Sequence, residues 1–145
     1  MFRAAGAVAG VCRVASTGVR SKTTIVAEGA PAAIGPYSHA VTSGKMVYTS
    51  GSLGVSAEGE LADGVQAQTQ LALENLGAVL KAAGANHGSV VKTLVLLETM
   101  DDFPAVNEVY AQFFPENPPA RSCFAVKALP LGAKVEIEAV AEIVE

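Results

Sequence analysis

Apolar residues recur along this chain with two periods, and the periods mark out its elements. Across residues 64–83, Val65, Ala72, Leu76, Val79 and Ala83 follow helical spacing, with Asp63 placed to cap the start and Gly84 to stop the end. A second helix follows Asp101 or Asp102 as its cap. It carries Phe103, Val106, Tyr110 and Phe113 along one side and ends at Pro115, before Pro118 and Pro119. Residues 23–27 read as a short strand, and two β-prone runs within 39–50 flank a Ser43-Gly44 turn and predict a hairpin. Residues 90–97 are apolar apart from Lys92 and Thr93, the pattern of a strand covered on most of its surface. Residues 121–127 and 134–143 supply two last strands separated by a turn at Pro130–Gly132. The order βββαβαββ predicts an α+β fold: one domain, a mostly antiparallel sheet, and two helices on one of its faces.

Alternation within the last two strands sorts their side chains. Val135, Ile137, Ala139, Ala141 and Ile143 share one face of the final strand, and Glu136, Glu138, Val140 and Glu142 the other. In the strand before it, Arg121, Cys123 and Ala125 lie opposite Ser122, Phe124 and Val126. A guanidinium grips a carboxylate through two parallel hydrogen bonds and keeps its charge when partly buried, so Arg121 is a candidate carboxylate clamp. On residue type alone, a surface or salt-bridge role serves Arg121 equally well, and Glu136 and Glu138 fit ordinary solvated strand positions.

Charge and composition narrow the function classes. The 145 residues are half hydrophobic and 17% charged, which suits one packed core rather than a disordered chain. The net charge of -4 hides an uneven distribution. Arg3, Arg13, Arg20 and Lys22 stand in a leading segment with no acid, and from Thr24 onward 6 basic residues face 14 acidic ones, a balance of -8. That surface disfavours a general grip on nucleic acid. Residues 1–22, rich in Ala, Gly and Val with interspersed Arg, have the composition of an organellar transit peptide. Arg13 and Arg20 interrupt the apolar core that a secretory signal needs. The expected destination is the mitochondrial matrix, with the plastid second; the cytosol follows if this segment is a plain tail. The folded domain then occupies 23–145. Cys12 and Cys123 are the only cysteines, so no disulfide framework is expected, and no apolar run is long enough for a transmembrane helix.

Cofactor chemistry finds little support. His39 and His87 are the only histidines, too few for a zinc site without carboxylate help, and the Gly-Ala-Asn-His-Gly context of His87 predicts an exposed turn. No nucleophile elbow, phosphate loop or dinucleotide fingerprint is present. The expectation is no cofactor and no metal.

Four segments taken together resemble the RidA/YjgF reactive-intermediate deaminases: APAAIGPYSHAV (30–41), YTSGSLGV (48–55), VKTLVLLETMDDFPAVNEVYAQFF (91–114) and PPARSCFAVKALPLGAKVEIEAVAEI (118–143). The resemblance runs from about Thr23 to the end of the chain. It implies a chorismate-mutase-like α+β domain assembled as a homotrimer, with sites in the clefts between subunits and with the face bearing Arg121, Cys123 and Glu136 packed near neighbouring subunits. It implies hydrolysis of 2-imino acids, 2-iminobutanoate and 2-iminopropanoate, to 2-keto acids and ammonia, which protects pyridoxal-phosphate enzymes. By the same resemblance Arg121 binds the substrate carboxylate, Cys123 lines the pocket and offers a backbone donor, and Glu136 handles water. Tyr37, Ser50, Gly51 and Asn107 complete the pocket, closing a wall, offering hydrogen bonds and fixing its shape. Ser52 departs from the glutamine common after the Ser-Gly pair, which bears on side-chain selectivity. A binding-only role, as ligand sensor, chaperone-like partner or translation inhibitor, is the alternative that the resemblance also admits. RNA cleavage lacks a suitable histidine pair, and a chorismate-mutase-like rearrangement lacks cationic groups beyond Arg121.

Overall fold

The computed structural model describes residues 22–144. The leading segment assigned above to a transit peptide therefore lies outside the described residues, apart from Lys22. The strands are β1 (Thr23–Ile25), β2 (Ala40–Ser43), β3 (Met46–Thr49), β4 (Ser52–Leu53), β5 (Val90–Leu97), β6 (Ala120–Ala125) and β7 (Val135–Glu142). Two helices, α1 (Val65–Ala82) and α2 (Phe103–Phe113), complete the fold. The sheet runs β1-β2-β3-β7-β5-β6, with β4 pairing β7 beyond the end of β3. All pairings are antiparallel except β5 with β6, which are parallel because α2 carries the chain back between them.

The predicted order holds, with one strand added. Residues 50–51 break the pairing of β3 with β7, and the chain resumes it at Ser52 and Leu53, opposite Ile137 and Glu136. A two-residue strand between glycines shows no alternation to detect. β1 also stops at Ile25 rather than at Ala27.

The core forms where the period-2 faces of the strands meet the period-3.6 stripes of the helices. Val135, Ile137, Ala139 and Ala141 of β7 are buried, as are Val47, Val95 and Leu97 on neighbouring strands, and α1 covers them with Ala72, Leu73, Leu76, Val79 and Leu80. Both helices pack on this one face and against each other. Burial of apolar surface at about 25 cal/mol per Å² makes this interface the main stabilising term. Thr93, the polar interruption in β5, points into the core and meets the Tyr110 hydroxyl at 2.7 Å, so neither buried group is left unpaired.

Capping differs from the prediction at the start of α1. Gly64, at φ 82°, takes the cap position, and no side chain accepts a hydrogen bond there. Asp63 lies one residue too early. The predicted stop holds: Gly84 adopts φ 77°, and Gly84 and Ala85 donate to the carbonyls of Lys81 and Leu80, closing the last turn. Asp102 precedes α2 without a capping hydrogen bond. The short turn before it is instead capped by Thr99, whose hydroxyl accepts from the Asp101 N–H.

Candidate active site

The register of the sheet divides the candidate residues into two groups. Arg121 lies opposite Thr93, which lies opposite Ala139, so all three point to the helix-covered face, and Cys123 follows through Val95 and Ile137. Glu136 pairs with Leu96 and Leu53 on the other face. The expectation that Arg121, Cys123 and Glu136 share one face is therefore wrong for Glu136. Alternation sets the relative facing of residues within a strand, but the relation of β6 to β7 depends on how β5 joins them. Along the sheet Arg121 is three residues from Glu136 (about 10 Å) and two strands away (about 10 Å), a backbone separation of about 14 Å across the sheet.

The first group is built on β6 and α2. The Arg121 guanidinium lies over the Tyr110 ring at 4.7 Å and over the Phe103 ring at 5.4 Å. These stacked faces hold the fork while leaving its N–H edge open, and no described carboxylate pairs with it. Asn107, half-buried, falls on the same side of α2 as Phe103 and Tyr110 by its spacing. Burial pushes the Cys123 thiol up and nearby Arg121 partly offsets the rise, so Cys123 is a neutral wall rather than a thiolate. Burial also raises the Tyr110 hydroxyl, against the opposing hydrogen bond from Thr93 and the charge of Arg121.

The second group lines a cleft of about 370 Å³ at the edge left free by β4. Glu136 stands in one wall, with Tyr37, Ser50 and Gly51 beside it. A Cβ on Gly51 would collide with the Glu136 carboxylate and fall within 2.8 Å of Cγ, so glycine is what leaves the carboxylate room in the position it occupies. Burial, and then the charge of Glu138, raise the Glu136 carboxyl above its ordinary value. Ser50 is more structural than expected: its hydroxyl donates to the Ser38 carbonyl at 2.7 Å and its N–H to the His39 carbonyl. Ser52 shares the face of Ile137 and is buried, with part of its surface on the cleft.

Several residues have roles that the sequence did not assign to them. His39 Nδ1 accepts from the Ala27 N–H at 2.8 Å, which places the ring proton on Nε2, where it donates to the Pro31 carbonyl at 3.0 Å. The imidazole thus ties down the loop that carries Tyr37, whose hydroxyl accepts from the Ile34 N–H. Asn75 interrupts the apolar stripe of α1, which was its one signal, and reaches the carbonyls of Leu53 and Val55, both at 2.9 Å. His87 is not an exposed turn residue. It packs against Phe113 and Phe114, and its Nε2 bonds the Leu73 carbonyl, because α1 and α2 converge over it. Burial lowers its basicity, opposed by that hydrogen bond. Both histidines are committed to backbone carbonyls. Among the described residues no three His, Cys, Asp or Glu side chains gather as a metal site, and no helix is long and apolar enough to cross a membrane.

Residues 27–143 match the family described as Endoribonuclease L-PSP. The chain belongs to that family. The human protein named 2-iminobutanoate/2-iminopropanoate deaminase is 50% identical over 114 residues, which cover 77% of this chain and 83% of the human one. The Arabidopsis thaliana protein named Reactive Intermediate Deaminase A, chloroplastic, is 48% identical over 122 residues, 83% of this chain. The match spans only 65% of that longer protein. Among solved structures, Escherichia coli TdcF with bound serine superposes with a TM-score of 0.80 at 44% identity, covering 83% of this chain and 98% of TdcF. These similarities bear out the resemblance to the RidA/YjgF deaminases and the single α+β domain with two helices on a mixed sheet.

Proposed function

We propose that the chain hydrolyses 2-imino acids, 2-iminobutanoate and 2-iminopropanoate among them, to 2-keto acids and ammonia, in sites formed between copies of a homotrimer. The observation that carries this reading is the division of the site itself. Arg121, stacked and open at its N–H edge, and Glu136, held in a cleft with a raised pKa, are the two groups the reaction needs. They face away from each other in one chain, across about 14 Å of sheet, whereas the carboxylate and imine carbon of a 2-imino acid are bonded neighbours. A second copy brings its Arg121, Cys123 and Asn107 to the cleft of the first. Named relatives support the substrate class: the human protein carries the deaminase name, and TdcF binds serine, a small amino acid with a carboxylate.

In this reading Arg121 grips the substrate carboxylate, fixing the imine carbon above Glu136. Glu136 as carboxylate takes a proton from water as the oxygen adds to the C=N carbon, and the nitrogen gains a proton from solvent, which the last step returns. The carbinolamine then loses ammonia: Glu136 returns its proton to the nitrogen, the C–N bond breaks, and the hydroxyl proton leaves as C=O forms. One imine and one water give one keto acid and one ammonia. A carboxyl raised toward neutrality exchanges protons in both directions more readily than an ordinary one. Removal of the imines protects pyridoxal-phosphate enzymes from them.

The deciding assay follows keto-acid formation from 2-iminobutanoate made in situ by a threonine dehydratase, with wild type, Arg121→Ala and no added protein. Acceleration lost in Arg121→Ala supports the reading. Wild type equal to the blank overturns it and favours a binding-only role. Residues 1–22 act in this proposal as a leader to the mitochondrial matrix, with the plastid as the alternative that the chloroplastic name of the Arabidopsis relative favours. A fluorescent protein fused behind residues 1–22 checks this, and a cytosolic signal would reject it.

A further inference from the structure

The cleft continues past Glu136, between the loop of residues 30–39 and the contact of β4 with α1, to Asn75 and Val79. 2-Iminobutanoate has about seven non-hydrogen atoms and fills at most about 210 Å³, on the ~30 Å³ that each molecule takes in liquid water. The 370 Å³ cleft is larger than that, although the carboxylate end belongs outside it, on Arg121 of the neighbouring copy. Apolar groups dominate its walls, with Leu53 beside Glu136, the buried Val55 and Val79 at the inner end, and Ile34 and Leu131 exposed at the rim. Leu131 is held there by a turn that puts it at φ 59°, a left-handed conformation that a leucine rarely adopts.

The inner end is also polar at one point. Asn75 is only 9% exposed, and its amide nitrogen donates to both the Leu53 and Val55 carbonyls, which fixes the orientation of the amide. Its Oδ1 accepts no hydrogen bond from any described residue and is not sealed in the core, and the residue borders the cleft. An acceptor in an apolar pocket, with Glu136 at the entrance, is hostile to an anionic group and tolerant of an uncharged one.

Building on the deaminase reading, we propose that this inner end is a side-chain subsite that selects 2-imino acids whose side chains are uncharged and longer than the ethyl group of 2-iminobutanoate. The apolar stem lies along Leu53, Val55 and Val79, and Asn75 Oδ1 meets any donor at its tip. Side chains ending in a carboxylate are rejected there. Selectivity then rests on residues of α1, β4 and the segment that follows β4, apart from the groups that carry out the hydrolysis.

The test compares kcat/KM for 2-iminopropanoate, 4-methyl-2-iminopentanoate and 2-iminopentanedioate, each made in situ by an amino-acid oxidase with catalase present. Wild type should favour the 4-methyl compound at least about tenfold over each of the others, the range that methylene-sized differences in an apolar pocket produce. Val79→Phe and, on the loop, Ala30→Leu should each lower the 4-methyl rate about tenfold more than the 2-iminopropanoate rate. A wild type that prefers the short or the dianionic substrate, or filling variants that slow all substrates alike, would overturn the subsite. Calorimetric binding of the stable products 4-methyl-2-oxopentanoate and pyruvate separates the two proposals. A protein that turns over no imine yet binds the longer keto acid more tightly, with the preference lost in Val79→Phe, keeps the subsite and loses the deaminase.

Discussion

Replacing Gly51 by alanine asks whether Glu136 works from the position it occupies, because the added methyl group would take the space of its carboxylate. The methyl carbon would lie 2.6 Å from Cδ and 2.8 Å from Cγ, against a comfortable carbon–carbon separation of about 3.5–4.0 Å. What it meets is the far end of a flexible, half-exposed side chain, so Glu136 can swing to another rotamer at about 1 kcal/mol. That cost lowers Tm by about 4 °C. The swing removes the proton-transfer group from the imine carbon, and such groups are worth about 10²–10⁴-fold in rate. Gly54→Ala is the control. Its Cβ would fall 2.7 Å from the backbone carbon of Gln68 on α1, where nothing can rotate away, and helix and strand must separate at about 3 kcal/mol, or about 10 °C in Tm. Keto-acid formation and thermal unfolding, measured on both variants, should show Gly51→Ala folded and at least a hundredfold slower, and Gly54→Ala chiefly unstable. A fully active Gly51→Ala, or one as unstable as Gly54→Ala, would refute the reasoning.

Other perturbations separate the roles of the remaining residues. If the site joins two copies, co-expressing Arg121→Ala with Glu136→Gln chains should restore roughly a quarter of wild-type activity, since random trimers reunite an intact Arg121 with an intact Glu136 at that frequency; no recovery from mixed trimers would place both groups of a working site on one chain. Because burial raises the Glu136 carboxyl above its unfolded value, folding takes up a proton between the two values. The penalty is absent below the unfolded value and present in full above the folded one, so Glu136→Gln should raise Tm at pH 8, leave it nearly unchanged at pH 3, and abolish turnover. As hydrolysis needs the carboxylate form, activity should fall with decreasing pH through this raised pKa, and Glu138→Gln should move that limb to lower pH; an unmoved limb would remove Glu138 as a cause. Tyr110→Leu, which takes away the ring under Arg121, should raise KM more than it lowers kcat in steady-state kinetics, and an equal effect on both would assign Tyr110 no role in holding the guanidinium.

Much of the architecture was legible because long elements repeat their own instructions. α1 states its stripe over five turns and ends on Gly84, and β7 alternates without a fault over eight residues. Short elements carry too few positions for that: β4 has two residues and is a strand only because β7 supplies the partner. The environment of polar residues was also hidden from residue type. His87 reads as an exposed turn until α1 and α2 close over it, and Thr93 and Asn75 are tolerable in the core only because Tyr110 and the β4 carbonyls pair with them.

By itself, the sequence determined the elements, the alternation of side chains within the last two strands, and, through its motifs, the family and the residues that could carry the chemistry. Tertiary structure decided how those faces relate. Alternation fixes parity inside a strand, but whether Arg121 and Glu136 look the same way depends on pairings made through β5, between residues far apart in the chain. Those hydrogen bonds set Arg121 under α2 and Glu136 over Gly51 on opposite sides of one sheet. Only the folded register carries that information, because it is the burial of all the strands together that selects it.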